Sequence, residues 1–159
     1  DFKKILNTYN KGTFGNDTIN FKQYEHPLCL WDGDRQLHAQ NAILAGEAAC
    51  VVDPMTAEGI RPAIFSGVKA AESIHAALSG TTNALERYTE VMTTEWGADM
   101  KWAQRLAAAF YQFPKAGYKA GIKRPAASIM MAKILAGELS YSDIAGRAIK
   151  KLSGSMFGR

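Results

Sequence analysis

Between Asn83 and Phe113, apolar residues recur at steps of three and four: Leu85, Tyr88, Met92, Trp96, Met100, Ala103, Leu106, Phe110 and Phe113. That spacing returns to one face of an α-helix, so the stretch predicts a long helix and commits the chain to helical packing. Gly97 weakens it, because an interior Gly costs ~1 kcal/mol against Ala. Pro114 ends it. A second helix is predicted over 59–78, with Ile60, Ile64, Val68, Ala71, Ile74 and Leu78 on one face and Ser79-Gly80 as the stop. After a Gly- and Lys-containing connection at 114–124, Pro125 opens a short helix carrying Ile129, Met130, Ile134 and Leu135, stopped near Gly137. Ser140-Tyr141-Ser142-Asp143 resembles a capping box with Asp in the place that prefers Glu or Gln. It leads a last helix with Ile144, Ala148, Ile149 and Leu152 on one face, and a frayed tail from Ser153.

The N-terminal part reads differently. Residues 1–38 are mixed and turn-rich, with Gly12, Gly15-Asn16-Asp17 and Asp32-Gly33-Asp34 as turn chemistry. Residues 18–24 and 28–31 fit short strands, too few for an independent sheet. Residues 41–49 fit a buried strand entering a tight loop. The expected fold class is therefore α+β and predominantly helical, a few short strands followed by about four helices. Its units are 1–40, a strand-loop-helix at 41–80, and a helical part at 81–159.

Charge divides the chain. Residues 1–100 carry a formal charge of −5 and residues 101–159 carry +9, within a total of +4. The basic end fits a solvated face or one docked on an acidic surface of the same protein, with a peripheral membrane contact as the alternative. No nucleic-acid module is present, and no apolar run approaches the ~20 residues that cross a bilayer. Cys29 and Cys50 form no CxxC pair, and His26, His38 and His75 have no metal-ligand spacing. Two buried, inert thiols in a reduced, cytoplasmic protein are the expectation, with no metal.

One segment carries chemistry: Ala45-Gly46-Glu47-Ala48-Ala49-Cys50-Val51-Val52-Asp53-Pro54-Met55-Thr56-Ala57-Glu58-Gly59-Ile60. It reads as strand, small-residue loop, Pro and helix start. Gly46 and the alanines let another group approach the backbone. The helix start offers unpaired N–H groups and a positive dipole end to an electron-rich atom. The Glu47 carboxylate can accept hydrogen bonds from ligand hydroxyls. The same residues also suit a plain strand-to-helix turn whose acids cap the helix. Cys50, Glu58 and His26 are reactive types in or near the segment. Each also fits a structural role, and the catalytic residues stay unassigned.

This segment resembles the second flavin-binding motif of the geranylgeranyl reductase family, flavoproteins of the para-hydroxybenzoate hydroxylase fold. The resemblance covers about residues 42–78, from Leu44 through Gly46-Glu47-Ala48-Ala49, Asp53-Pro54 and Glu58-Gly59-Ile60 to Arg61-Pro62-Ala63 and Ser66-Gly67. Weaker similarity includes Tyr24-Glu25-His26-Pro27, like the end of the family's substrate-domain sheet, which the resemblance extends over residues 1–40. It implies FAD as cofactor, with Gly46, Glu47, Ala48, Pro54, Gly59 and Ile60 as cofactor-binding positions: Glu47 on the ribityl chain, Pro54 near the ring, Gly59 and Ile60 at the pyrimidine end. Glu47 stands for the usual Asp. Cys50 and Ala57 stand for common Gly residues, the latter in a loop that needs positive φ.

The resemblance further implies an FAD-dependent reductase that saturates double bonds of a geranylgeranyl or other isoprenoid group, with NAD(P)H as reductant. A flavin monooxygenase or halogenase of the same fold is the alternative, as is a non-enzymatic helical interaction domain with a degenerate motif. No Gly-x-Gly-x-x-Gly turn occurs in the 159 residues. With Asp1 at the start, the chain is expected to be a C-terminal portion, partnered by an N-terminal FAD-binding part and inactive without it. Exposed apolar edges would favour self-association.

Overall fold

The computed structural model describes residues 2–15, 24, 26–33 and 35–156. Helices dominate: α1 (Phe2–Phe14), α2 (Ile60–Leu78), α3 (Ala84–Val91), α4 (Gly97–Gln112), α5 (Pro114–Gly117), α6 (Pro125–Leu135) and α7 (Tyr141–Met156), with π turns at Met92–Trp96 and Tyr118–Ile122. Two short strands, β1 (His38–Ala39) and β2 (Ala42–Ile43), form an antiparallel hairpin with His38 opposite Ile43.

The long periodic stretch builds the core. Tyr88, Met92, Trp96, Met100 and Ala103 are all buried, joined by Ala84 and Ala107. Steps of four lead an α-helix of 3.6 residues per turn by about 40° each. The wider π turn at 92–96 takes that lead back, so Tyr88, Met92, Trp96 and Met100 stay on one line. Leu106 and Phe113, expected on this face, are exposed. Gly97 has a purpose that its helix propensity hides. A Cβ there would lie 2.5 Å from Cζ2 of Trp31, so only Gly lets the buried indole cross the helix.

The rest of the helical part follows its local signals. Pro125 opens α6, and Gly137, at φ +75°, follows its end. Ser140 Oγ accepts from Asp143 N at 3.0 Å, while Asp143 Oδ2 accepts from Ser140 N at 3.1 Å, a reciprocal cap built with Asp. Asp99 of α4 adds a second cap, accepting from Tyr141 N and Ser142 N at 3.2 and 2.8 Å. The stretch 114–122, expected as a connection, is helical: α5 runs into the second π turn.

Further expectations are corrected, and one lies mostly outside the described residues. Residues 2–14 form α1 rather than a turn-rich segment; Phe2, Ile5 and Tyr9 share one side of it and stay exposed. Most of the strand expected over 18–24 lies outside the described residues. The buried strand expected at 41–49 is reduced to Ala42–Ile43, which is not buried. It pairs back on His38-Ala39 through a turn at Gln40, and Leu44 is exposed, because among the described residues no further strand covers it. Finally, α2 buries Pro62, Ser66 and Ala70, while Ile60, Ile64, Val68, Ala71, Ile74 and Leu78 face outward, Leu78 at 84% exposure. The stripe exists as expected; the small face of the helix, not the apolar one, is what packs closely on the core.

Among the described residues, no helix is long and apolar enough to cross a membrane.

Candidate functional site

The segment 45–60 folds as a one-turn 3-10 helix (Gly46–Ala49), a short extended piece, a turn at 54–56, and the start of α2. Gly46 takes φ +63°, the conformation a side chain resists, and so turns the chain sharply after β2. Its amide donates to Ser66 Oγ of α2 at 2.9 Å, and that hydroxyl donates to Ala63 O at 3.0 Å. Ser66 is fully buried, so these bonds satisfy the hydroxyl and fasten the turn to the helix. At the other end, a Cβ on Gly59 would lie 3.3 Å from a Val52 methyl, so Gly allows the start of α2 to seat on the extended piece.

Asp53 organises the loop between. It is fully buried, and its Oδ1 accepts from Met55 N and Thr56 N at 2.7 and 3.1 Å. Oδ2 accepts from the Tyr141 hydroxyl at 2.7 Å. Asp53 N donates to Glu58 O, and Ala57 N donates to Asp53 O, both at 2.9 Å. The loop places Ala57 at φ +57°, the left-handed conformation that a Gly would take without strain. Glu58 Oε1 accepts from Arg61 N at 2.7 Å and caps α2. That is the plain helix-capping role weighed for this acid. Burial, and then the carboxylate of Asp53, push the Tyr141 phenol well above the ordinary tyrosine range.

A second strip runs alongside. His26 Nε2 lies 2.7 Å from Glu47 Oε1, Cys29 is bonded to Cys50, and Trp31 N donates to Val52 O at 2.8 Å. These pairs are 21, 21 and 21 residues apart, so 26–31 lies parallel to 47–52 in a constant register. Leu30 and Val52 form the parallel bridge there. This corrects the expectation of free thiols. The register brings the two Cα atoms to 4.7 Å, within the range a disulfide spans, although neither cysteine has a sequence neighbour to pair with. With both sulfurs bonded, neither cysteine is a nucleophile or a proton donor.

The cofactor-binding positions read from the sequence thus fall into three places. Gly46 is locked against α2, while Glu47 and Ala48 stand exposed on the same turn. Pro54 is half-buried in the Asp53 loop. Gly59 caps α2, and Ile60, its first residue, is 78% exposed. The structure joins the first and third places through Ser66 and α2. It also turns Glu47 towards His26, a pairing that the sequence does not announce. The groove lined by Lys4, Ile5, Thr8 and Tyr9 on α1 shares no residue with them. Among the described residues, no group of three or more His, Cys, Asp and Glu is arranged to hold a metal.

No family model, curated protein or solved structure matches this chain.

Sequence reasoning missed two supports of this segment. Asp53 is a buried turn anchor, and its signal was present: Asp before Pro is turn-initiating chemistry. Tyr141 is the other, and a Tyr at the start of a helix gives no such signal.

Proposed function

We propose that this chain is the C-terminal portion of an FAD-dependent oxidoreductase of the geranylgeranyl reductase type, reducing double bonds of an isoprenoid group. The observation that carries the reading is the closed strand-turn-helix unit. Gly46 and Ser66, both residues of the flavin-like motif, bond to each other and hold the turn on α2.

The residues present suit the cofactor. Glu47 is exposed, and His26 occupies one of its oxygens, which leaves the other to accept from a ribityl hydroxyl. Gly46 and Ala48 keep the turn low. The amides of Gly59 and Ile60 precede the first residues bonded within α2, and the helix dipole there favours negative charge on a pyrimidine edge. When bound, reduced FAD supplies the hydride, and NAD(P)H is the reductant proposed to replenish it. The disulfide and the Asp53 loop hold the two ends of the segment in place, so the turn and the start of α2 keep their spacing for the cofactor.

The phosphate-seating turn belongs, in this reading, to an N-terminal FAD-binding part. The exposed stripe Ile60, Ile64, Val68 and Leu78 on α2 offers it an apolar surface. Without that part, the same stripe favours self-association.

An absorbance spectrum of the protein purified with its N-terminal part tests the reading. A bound flavin spectrum, with Glu47→Ala weakening FAD binding tenfold or more, supports it. Product analysis then separates a saturated prenyl chain from an oxygenated or halogenated ring. A colourless protein that takes up no added FAD overturns both enzyme readings and leaves a helical interaction domain.

A further inference from the structure

We propose that the helical arm from Tyr111 to Leu135 docks on an anionic lipid surface. This does not depend on the flavin reading.

The sequence supplies the charge. From Tyr111 to Leu135 there are five Lys and Arg residues and no Asp or Glu. The fold leaves the arm bare. Ala107 and Ile134 are buried, but every residue described between them is exposed or half-buried. Tyr111, Phe113, Tyr118, Ile122 and Ile129 are each 48–73% exposed. On α6, Ala127, Met131 and Ile134 turn inward, which puts Ile129 and Lys133, one turn apart, on the opposite side. In the π turn, Lys119 and Ile122 are both exposed, and Lys123 Nζ sits 5.7 Å from the Tyr118 ring centre. A Cβ on Gly117 would lie 2.6 Å from Phe110, so Gly117 lets the arm fold back on that ring.

Cations interleaved with bare aliphatic and aromatic side chains match the boundary between lipid headgroups and acyl chains. Lys and Arg draw the arm to anionic headgroups. Tyr and Phe settle at the interface, and Ile122 and Ile129 leave water only if an apolar phase receives them. A nucleic acid would satisfy the cations but has no place for the two isoleucines. Lipid is therefore the better match.

The test is sedimentation of the 159-residue chain with vesicles of phosphatidylcholine, with and without phosphatidylserine. The expected result is binding that requires phosphatidylserine and falls with added salt. Lys119→Glu with Lys123→Glu should weaken it about thirtyfold or more. Ile122→Ser with Ile129→Ser should weaken it at low salt. All substituted positions are exposed, and circular dichroism checks that each variant stays folded. Three results would overturn the proposal: no binding to anionic vesicles, equal binding to neutral and anionic vesicles, or binding that neither arm variant alters. Capture of the chain by single-stranded RNA, with none by vesicles, would also overturn it and make the arm a nucleic-acid surface.

Discussion

The Tyr141 hydroxyl donates to Asp53 Oδ2 at 2.7 Å, joining residues 88 positions apart in a fully buried contact. It ties the first residue of α7 to the anchor of the 53–58 loop. Tyr141→Phe leaves that carboxylate oxygen without its donor, and should cost about 2 kcal/mol in urea denaturation.

The same pair sets a pH dependence. Burial and Asp53 hold the Tyr141 phenol protonated beyond the ordinary tyrosine range. Above about pH 10 an unfolded tyrosine releases its proton while the folded one keeps it. The native state then binds more protons than the unfolded state, so the stability due to Tyr141 is complete below that pH and is lost as pH rises. Denaturation midpoints of wild type and Tyr141→Phe should therefore converge above about pH 10.

Gly97→Ala should destabilise the chain although it improves helix propensity. The gain is ~1 kcal/mol. The new methyl meets the buried Trp31 ring at 2.5 Å, and overpacking of this kind costs ~1–3 kcal/mol. A net loss of up to about 2 kcal/mol is expected, read by thermal or urea denaturation.

Ala57→Gly should do the reverse. Ala57 sits at φ +57°, where a Cβ costs roughly 1–2 kcal/mol, partly offset by the extra freedom Gly has when unfolded. A gain of about 0.5–1 kcal/mol is expected in the same measurement.

Removing the disulfide should cost more. It closes a loop of 21 residues, and constraining a loop of that size in the unfolded chain stabilises by about 3 kcal/mol. Cys29→Ser with Cys50→Ser, or an excess of dithiol reductant, should lower the denaturation midpoint accordingly. An unchanged midpoint would mean that the crosslink adds no stability to the chain.

What the sequence made legible was local. Pro125, Gly137 and the Ser140–Asp143 box each act within one turn of chain, and their helix boundaries follow from them. Tyr88, Met92, Trp96 and Met100 were readable as one buried face because a four-residue spacing needs no partner to be recognised. Contacts between distant segments were not readable in this way. Cys29 and Cys50 meet only because 26–31 runs beside 47–52, and Gly97 matters only because Trp31 crosses it. On α2 the apolar stripe was plain, but which face would pack was decided elsewhere. The buried hydroxyl of Ser66 bonds to Gly46 and Ala63, and that commits the small-residue face inward. In the candidate site, the order Gly46, Asp53, Gly59 marked the turns, whereas the attachment of Glu47 to His26 depended on the parallel register.

The π turn at 92–96 has a consequence for comparing this chain with others. A sequence lacking one residue between Met92 and Trp96 would bury the same side chains at steps of four, three, four and three, as an unbroken α-helix does. A single-residue gap at this point in an alignment would therefore mark two chains with the same helix pair and the same core, one wound with the extra residue and one without.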